Sequence, residues 1–366
     1  MKSVLPVAGR TKVKIMLAAI VSLVAWPVLQ TVPPAQSIQW SQDMREAANR
    51  MVEAIAAVAR FCGTAGIPIS ESLDPNRTCL IGPEYTPLFT TLGQLEAKRT
   101  TTNPDMAGLL VHILSRAGVS AGDTIAVGAS ASFPALVIAI LTAAEALGVQ
   151  PVTILSLGAS SYGATRPGFN LLHIHELLLN EGIISTVPAA VSLGGERDAG
   201  SEFDPAVRED LVRQIRNSAI PLVVEADLRG SVARRMAIYL DASRGRRLAA
   251  FVNIGGSAAN LGISPKVLTV EPGLNTQLDL PPEEERGVLY EMAARGIPVI
   301  HLLHIRGLAL RYGLPWDPMP LPESATARLR DDGQTRPGRF WLLTIAYFLS
   351  LVLISVVRWG GRAVVE

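Results

Sequence analysis

The sequence predicts an α/β protein: a Rossmann-like, three-layer domain built on a parallel sheet and flanked by two transmembrane helices. Two observations predict the sheet. Short apolar runs rich in β-branched residues alternate with helical stretches, and these runs are continuously apolar, as in strands buried on both faces. A third observation predicts the flanking helices, because two uncharged, mostly apolar runs of eighteen residues occur at 15–32 and 340–357.

Composition narrows the class of protein. The 366 residues include 33 Lys and Arg against 32 Asp and Glu, so the net charge is only +1 and gives no general nucleic-acid footprint. Charged residues make up 18% of the chain, below the roughly 25% of an average soluble domain. The mean hydropathy of +0.31 is high for a fully soluble protein and low for a polytopic transporter. One large globular domain, or two, with some membrane-buried sequence is therefore expected.

The two apolar runs predict a topology. Eighteen helical residues extend about 27 Å, close to the hydrocarbon thickness of about 30 Å. Basic residues without an intervening acid precede the first run, which places residues 1–14 in the cytoplasm. These basic residues are Lys2, Arg10, Lys12 and Lys14. Two spans then put residues 43–338 outside the cytoplasm and return the tail, 358–366, to it.

Two features point to other arrangements. Four arginines precede the second run and only two follow it, against the positive-inside trend. The sequence Ala35-Gln-Ser37 resembles a signal-peptide cleavage site, so the first run could be removed after export. The first run is longer than a usual signal-peptide core, which favours an anchor. The large domain is exported in either case.

The chain has two cysteines, Cys62 and Cys79, with sixteen residues between them. Two cysteines cannot build a metal site by themselves, and their spacing is not that of a redox motif. Two alternatives stay open at this point. One is a local disulfide, worth about 3 kcal/mol in the chain-entropy model; the other is a pair of unrelated buried thiols.

Between the spans, the pattern predicts three segments. Residues 33–103 contain an amphipathic helix over 41–60 and an irregular stretch that leads into the domain; residues 104–305 form the α/β domain; residues 306–339 are a mostly extended, proline-rich linker. Strands are predicted at 124–127, 152–157, 190–193, 222–224, 248–254 and 299–303. Helices are predicted at 106–117, 134–147, 171–181, 205–217, 231–243 and 283–294.

Three of the predicted strands end in turns rich in Gly and Ser, which begin at Gly128, Gly158 and Gly255. Ligands of open α/β sheets bind beyond the carboxyl ends of strands, where helix N-termini offer free N–H groups. Each turn alone is more typical of an ordinary strand-to-helix connection, but the three together predict an anion-binding crevice. The candidate ligand-binding residues are Lys98, Arg99, Ser130, Ser132, Ser160, Ser161, Ser257 and Asn260.

Signals of catalysis are weak. Ser130 lies in a Gly-x-Ser sequence that begins like a nucleophile elbow, but Ser132 stands where the elbow needs glycine. Asp227 or Asp241, and then His301 or His304, follow Ser130 in the chain order of an α/β-hydrolase triad. The histidine spacing predicts no metal site. No P-loop and no complete G-x-G-x-x-G occurs, so no cofactor is predicted.

Two polar stretches have competing interpretations. Six arginines lie within residues 229–247 and are predicted to form a solvated helix face and loop, with carboxylate binding as the alternative. They are Arg229, Arg234, Arg235, Arg244, Arg246 and Arg247. Residues 96–105 are predicted to be a solvated loop that ends in a helix cap, with a functional loop as the alternative.

Several short motifs carry a family resemblance. They are Leu-Gly-Gln-Leu-Glu-Ala-Lys-Arg at 92–99, Asn-Pro-Asp at 103–105, Ser-Phe-Pro at 132–134, Gly-Ala-Ser-Ser-Tyr-Gly at 158–163, Gly-Gly-Glu-Arg-Asp at 194–198, and Tyr-Gly-Leu-Pro at 312–315 with Pro318. Over most of the exported domain the chain thereby resembles the family called poly-γ-glutamate system protein. The resemblance implies association with the membrane machinery that makes and exports poly-γ-glutamate. It implies a pathway rather than a reaction, so it assigns no catalytic residue.

Three functions follow as hypotheses. The leading one is a membrane-anchored accessory component of poly-γ-glutamate synthesis or export that leaves ligation to another subunit and binds the polymer or other subunits. The alternative is an exported hydrolase or transpeptidase that acts on γ-glutamyl chains through one of the Ser-rich turns. The third is a structural scaffold. The expected partners are the membrane, other subunits of that machinery and the anionic polymer, and nucleic acid is not among them.

Overall fold

A computed structural model describes residues 7–30, 36–331 and 338–356. The chain divides into two compact units. The larger unit is Gln39–Leu329, and the smaller one combines the terminal segments Met1–Ile38 and Arg330–Glu366.

The described residues form twelve α-helices and thirteen strands, several of which have only two or three residues. The helices are α1 (Val7–Gln30), α2 (Gln42–Thr64), α3 (Leu95–Thr101), α4 (Asp105–Arg116), α5 (Pro134–Leu147), α6 (Leu171–Asn180), α7 (Pro205–Asn217), α8 (Leu228–Ala242), α9 (Ala258–Leu261), α10 (Val288–Ala294), α11 (Ile305–Tyr312) and α12 (Gly338–Val356). The strands are β1 (Gln36–Ser37), β2 (Phe89–Thr91), β3 (Thr124–Ser130), β4 (Gln150–Ser156), β5 (Ala159–Ser160), β6 (Thr165–Arg166), β7 (Phe169–Asn170), β8 (Ala190–Ser192), β9 (Leu222–Val223), β10 (Leu248–Ile254), β11 (Gly273–Asn275), β12 (Val299–Leu302) and β13 (Arg330–Asp331).

Seven strands form the central sheet of the larger unit, in the order β11-β12-β10-β3-β4-β8-β9. Neighbouring strands are parallel except for β11, which runs antiparallel to β12 at one edge. The chain begins the sheet at β3, adds β4, β8 and β9 on one side, and then returns to add β10 and β12 on the other. The predicted α/β class with a mostly parallel sheet is confirmed, and the direction of winding reverses between β3 and β10.

All six predicted strands belong to this sheet, because each is apolar enough to be covered by helices. Every residue of β3 is buried. Helices α2, α4 and α5 pack against one another, and α8 and α10 form a second group. Side chains of the second group share a core cluster with Ala126, Ile154 and Phe251 from three strands. The edge strand β11 was not predicted, since three residues with one glycine give no periodic signal.

The amphipathic helix predicted at 41–60 is α2, which begins after Ser41 and continues to Thr64. The Ser41 hydroxyl caps it by accepting a hydrogen bond from the Met44 N–H at 3.2 Å. Cys62, in the last turn of the helix, forms a disulfide with Cys79. Of the two alternatives for the cysteines, the structure has the disulfide, which ties the irregular stretch that follows to α2.

The solvated loop predicted over residues 96–105 is wrong. This stretch contains α3 and the start of α4, and most of its polar side chains are buried. Asp105, for example, accepts hydrogen bonds from the backbone N–H groups of Ala325 at 2.6 Å and Ala327 at 2.7 Å. The stretch is polar because it binds neighbouring backbone rather than water, which a single sequence does not reveal.

The prediction of a mostly extended linker from residue 306 is also wrong at its start. Residues 305–312 form α11, whose apolar side chains recur at helical spacing and are buried. Gly313 ends this helix in the left-handed conformation, with φ at 77°. Residues 306–329 therefore belong to the larger unit.

In the smaller unit, α1 and α12 contact each other, and β1 pairs antiparallel with β13. The hydroxyl groups of Ser22 and Tyr347 lie 2.9 Å apart between the two helices. Within the described ranges, no helix has both the length and the apolar character needed to cross a membrane. Both predicted spans include positions outside those ranges, at 31–32 and at 357.

Candidate functional site

A crevice of about 470 Å³ opens at the carboxyl edge of the sheet, where the winding reverses between β3 and β10. This is the place at which open α/β sheets bind ligands, and the volume is in the usual range for such sites, roughly 300–1,000 Å³. Its polar and charged lining includes Lys98, Ser130, Ser132, Ser156, Ser160, Glu196, Glu202, Ser257, His304 and Arg306.

The ends of successive strands supply most of this lining. Ser130 ends β3 and Ser156 ends β4. The turns after β8 and β10 bring Gly194 and Ser257 to the same edge. Lys98 comes from outside the sheet, on the short helix α3. The prediction that the Gly- and Ser-rich turns share one edge therefore agrees with the position of these residues.

Lys98 and Ser160 form the most distinctive contact of the crevice. The Lys98 ammonium donates a hydrogen bond to Ser160 Oγ at 2.6 Å and another to the Ser132 carbonyl at 2.5 Å. Its Nζ also lies 3.9 Å from the centre of the Phe133 ring. Lys98 is only 2% exposed. Among the described residues, no carboxylate forms an ion pair with it.

Burial without a counterion changes the acidity of this lysine. Loss of hydration lowers the pKa of the Lys98 ammonium to about 7. A large fraction of the amine is consequently neutral at neutral pH, and a neutral amine can accept the proton of a hydroxyl group. A base of this pKa in hydrogen-bond contact with a serine is the arrangement of Ser–Lys hydrolases and transferases.

Gly93 leaves the space that this pair needs. A Cβ atom at position 93 would lie 3.0 Å from Ser160 Oγ and 3.2 Å from Lys98 Cε. Strand β2, which precedes Gly93, pairs with β5, and β5 contains Ser160. The pairing brings the Gly93 backbone against the serine, where a Cβ would also lie 2.8 Å from the Ser161 carbonyl oxygen, so a side chain at position 93 does not fit.

Ser132 links the two halves of the site. Its carbonyl accepts the Lys98 hydrogen bond, and its hydroxyl oxygen accepts the Ser160 N–H at 3.0 Å. Ser130 and Ser257, which line the same crevice, are 3% and 7% exposed. Neither hydroxyl has a hydrogen-bond partner within the described part of the chain, although both line the crevice.

Three predicted ligand-binding residues do not line the crevice. Arg99 forms a bidentate ion pair with Asp317, with both N–O distances at 2.6 Å. Ser161 is 1% exposed and its side chain lies outside the lining. Asn260 is buried against β3, where a Cβ at Gly128 would lie 2.6 Å from its amide.

The hydrolase-like triad is not assembled. Asp227 caps α8 by accepting the Gly230 N–H at 2.7 Å. His301 is buried in β12, where its Nδ1 lies 3.1 Å from the Asn253 amide nitrogen. Burial lowers the pKa of His301 to about 4. Of the alternatives, His304 lines the crevice as Ser130 does, whereas Asp241 is an exposed residue paired with Arg244.

Sequence reasoning missed a buried ion pair beneath the crevice. Arg235, predicted to be part of a solvated face, is fully buried and pairs with Asp198. The guanidinium also donates to the hydroxyl groups of Ser156 at 2.9 Å and Ser192 at 2.7 Å, at the ends of β4 and β8. Its neighbour Arg234 is exposed, as predicted. The one available signal was the Gly-Gly-Glu-Arg-Asp motif, whose last residue is Asp198.

Comparisons of the chain with protein-family models, with curated proteins and with solved structures gave no match. The resemblance to the poly-γ-glutamate system protein family therefore stays a prediction from the sequence, and the function is argued from the geometry of the site.

Proposed function

We propose that this chain is an acyl-transfer enzyme, a hydrolase or transpeptidase of γ-glutamyl chains, with Ser160 as nucleophile and Lys98 as base. The observation that carries this proposal is the 2.6 Å contact between the Lys98 amine and the Ser160 hydroxyl inside the crevice. The pKa of Lys98, lowered by burial to about 7, supports it, because an ordinary lysine is protonated at neutral pH.

The reaction would proceed in two balanced halves. Ser160 Oγ attacks the amide carbonyl while its proton passes to the neutral amine of Lys98. The tetrahedral intermediate then expels the amine of the leaving chain, which takes that proton, and an acyl ester remains on Ser160. Water or the amine of a second chain attacks the ester, gives its proton to Lys98, and releases the acyl product as Ser160 regains the proton. Water gives hydrolysis and an amine gives transpeptidation.

The substrate class comes from the resemblance, supported by the chemistry of the lining. A γ-glutamyl chain carries one free carboxylate per residue and amide bonds in its backbone. Hydroxyl groups of several serines and the side chain of Arg306 line the crevice and can donate hydrogen bonds to carboxylates. Glu196 and Glu202 line it as well, so the crevice is not uniformly basic.

Incubation with poly-γ-glutamate tests the proposal. The wild-type chain is expected to shorten the polymer or join added amines to it, and Ser160→Ala should abolish both reactions. Ser161→Ala is the matched control, because this neighbouring serine is also buried, at 1% exposed against 8% for Ser160, but lies outside the lining. Equal rates for wild type and Ser160→Ala, or no reaction with the wild type, would contradict the proposal.

A non-catalytic accessory component that binds the polymer is the second candidate. The unpartnered hydroxyl groups of Ser130 and Ser257 favour it, since they can bind an anion without any reaction. Retention of the polymer without shortening or transfer in the same experiment would support this candidate. In both candidate functions the chain would also interact with other subunits of the synthesis and export machinery.

We also propose that the larger unit lies outside the cytoplasm and is anchored at the cell membrane. The basic residues before residue 15 and the disulfide support this location, because disulfides persist in oxidising compartments. A reporter that is active only outside the membrane, fused after Gly338, is expected to be active. Activity of a cytoplasm-only reporter at that position would contradict the proposed location.

A further inference from the structure

We propose that the hydroxyl groups of Ser130 and Ser257, with the amino end of α5, form a carboxylate-binding subsite beside Ser160. The subsite rests on the proposed function, because it would hold the free carboxylate of the same chain whose amide Ser160 attacks. It names the substrate class more narrowly: acyl donors that carry a carboxylate a few bonds from the reacting carbonyl.

The two hydroxyl groups point to a ligand. Both side chains are more than nine-tenths buried and line the crevice, and neither has a hydrogen-bond partner among the residues described. A buried hydroxyl without a partner is unfavourable by roughly 1–3 kcal/mol, and these two differ from the other such groups of the described residues, for example those of Thr153 and Ser161, because they line the crevice. Within the described part of the chain neither hydroxyl has a base as hydrogen-bond partner, so we assign both as donors to a ligand rather than as nucleophiles.

The amino end of α5 supplies favourable electrostatics at the same place. Ser132 and Phe133, immediately before this fourteen-residue helix, line the crevice. Pro134 has no N–H, and the N–H groups of Leu136 and Val137 donate to the Phe133 carbonyl, so this helix end attracts anions through the partial positive charge of its dipole. The first turn of α5 contains no acidic residue of its own that could occupy this position.

The Ser130 hydroxyl packs closely against the backbone of Gly255. Gly255 has a φ of +80°, and a Cβ there would lie only 2.2 Å from Ser130 Oγ. A side chain at position 255 would therefore collide with the hydroxyl, besides straining the backbone. The same atom would lie 3.4 Å from Ser132 Cβ, so Ser130 and Ser132 both border this glycine.

Ser132 fixes how close the subsite is to the reaction. Its hydroxyl contacts the Ser160 N–H and its carbonyl contacts Lys98 Nζ, while its Cβ lies next to Gly255 and hence to Ser130. A carboxylate held at Ser130 would therefore lie next to Ser132, which hydrogen-bonds the backbone of the nucleophile. In a γ-glutamyl unit the α-carboxylate is separated from the γ-carbonyl by only three carbons, so a subsite for it has to be close to the nucleophile.

Binding of two defined probes to the full chain tests the subsite. The probes are a fluorescent γ-glutamyl pentamer and the same pentamer with α-carboxamides in place of its carboxylates. Ser160→Ala serves as the background, so that neither probe is consumed. The carboxylate pentamer is expected to bind at least about 10-fold more tightly than the carboxamide. Adding Ser130→Ala and Ser257→Ala should weaken carboxylate binding by about 10-fold to 100-fold and leave carboxamide binding unchanged.

Ser161→Ala in the same background is the matched control and is expected to bind both probes as before. Equal affinity for the two probes, no binding of either, or unchanged binding by the Ser130 and Ser257 variant would overturn the subsite. Thermal melts check that the alanine variants fold. Failure of the proposed function would give a different result. A wild type that binds the carboxylate probe more tightly than the carboxamide but never shortens the polymer would support the subsite and contradict the proposed reaction.

Discussion

Arg235→Met is expected to lower the free energy of unfolding by about 3–5 kcal/mol, the usual effect of removing one partner of a buried ion pair. Arg235 and Asp198 are 0% and 1% exposed at their side chains. Arg235 Nε and Nη2 bind the two carboxylate oxygens at 2.9 and 2.8 Å. Methionine fills a similar volume but leaves the carboxylate buried without a counterion.

The effect should extend to the crevice. Asp198 lies in the turn after β8, with φ at +61°, and this turn also contains the crevice-lining Gly194. Arg235 connects the turn to the ends of β4 and β8 through Ser156 and Ser192. Loss of the guanidinium is therefore expected to reduce probe binding as well as stability.

Chemical denaturation of matched variants measures the first effect. Arg234→Met is the control, because this adjacent arginine is exposed, and it should change stability by no more than about 0.5 kcal/mol. Combining Arg235→Met with Asp198→Asn should recover part of the loss, since asparagine carries no charge and tolerates positive φ. Equal stability of the two methionine single variants would show that the buried pair contributes nothing.

Lys98→Met is expected to slow acyl transfer by about 10²–10⁴-fold, the usual contribution of a general base. The wild-type rate should rise with pH through a midpoint near 7, because only the neutral amine can take the Ser160 proton. Lys98→Arg should be as inactive as Lys98→Met, since a guanidinium keeps its proton at this pH. A wild-type rate independent of pH between 6 and 8 would argue against Lys98 as the base.

The same lysine predicts a pH dependence of stability. Its folded pKa of about 7 lies below the value of 10.5 expected in the unfolded chain, so between these pH values the unfolded state binds one more proton. Wild-type stability should accordingly rise, relative to Lys98→Met, by about 1.4 kcal/mol per pH unit from pH 7.5 to 10.

Denaturation at several pH values measures the difference in stability between wild type and Lys98→Met. The contributions of other titrating groups are the same in both proteins and cancel in this difference. Lys266→Met is the control, because Lys266 is a half-exposed lysine of the same unit, paired at the surface with Asp279. The difference in stability between wild type and Lys266→Met should not show the steep rise with pH that is expected for Lys98→Met. Parallel pH curves for wild type and Lys98→Met would contradict a lowered pKa.

The local sequence by itself determined the six parallel strands of the central sheet and most of the helices that cover it. Strands such as β10 and helices such as α5 begin and end where the apolar pattern predicts, because a parallel strand or a core helix must be apolar along its own length. The Gly- and Ser-rich turns marked the carboxyl edge of the sheet for a similar local reason: a tight turn there needs small residues.

Only the tertiary structure decided which residues meet. Lys98 lies 62 residues before Ser160 in the chain, and the sheet and α3 bring them to 2.6 Å. Arg234 and Arg235 are identical in type and adjacent in sequence, yet one is solvated and the other fully buried, since successive positions on a helix face different directions. Charge and hydrogen-bonding capacity can be read from one sequence, but burial and partners depend on long-range packing, and these set the pKa of Lys98 and the role of Arg235.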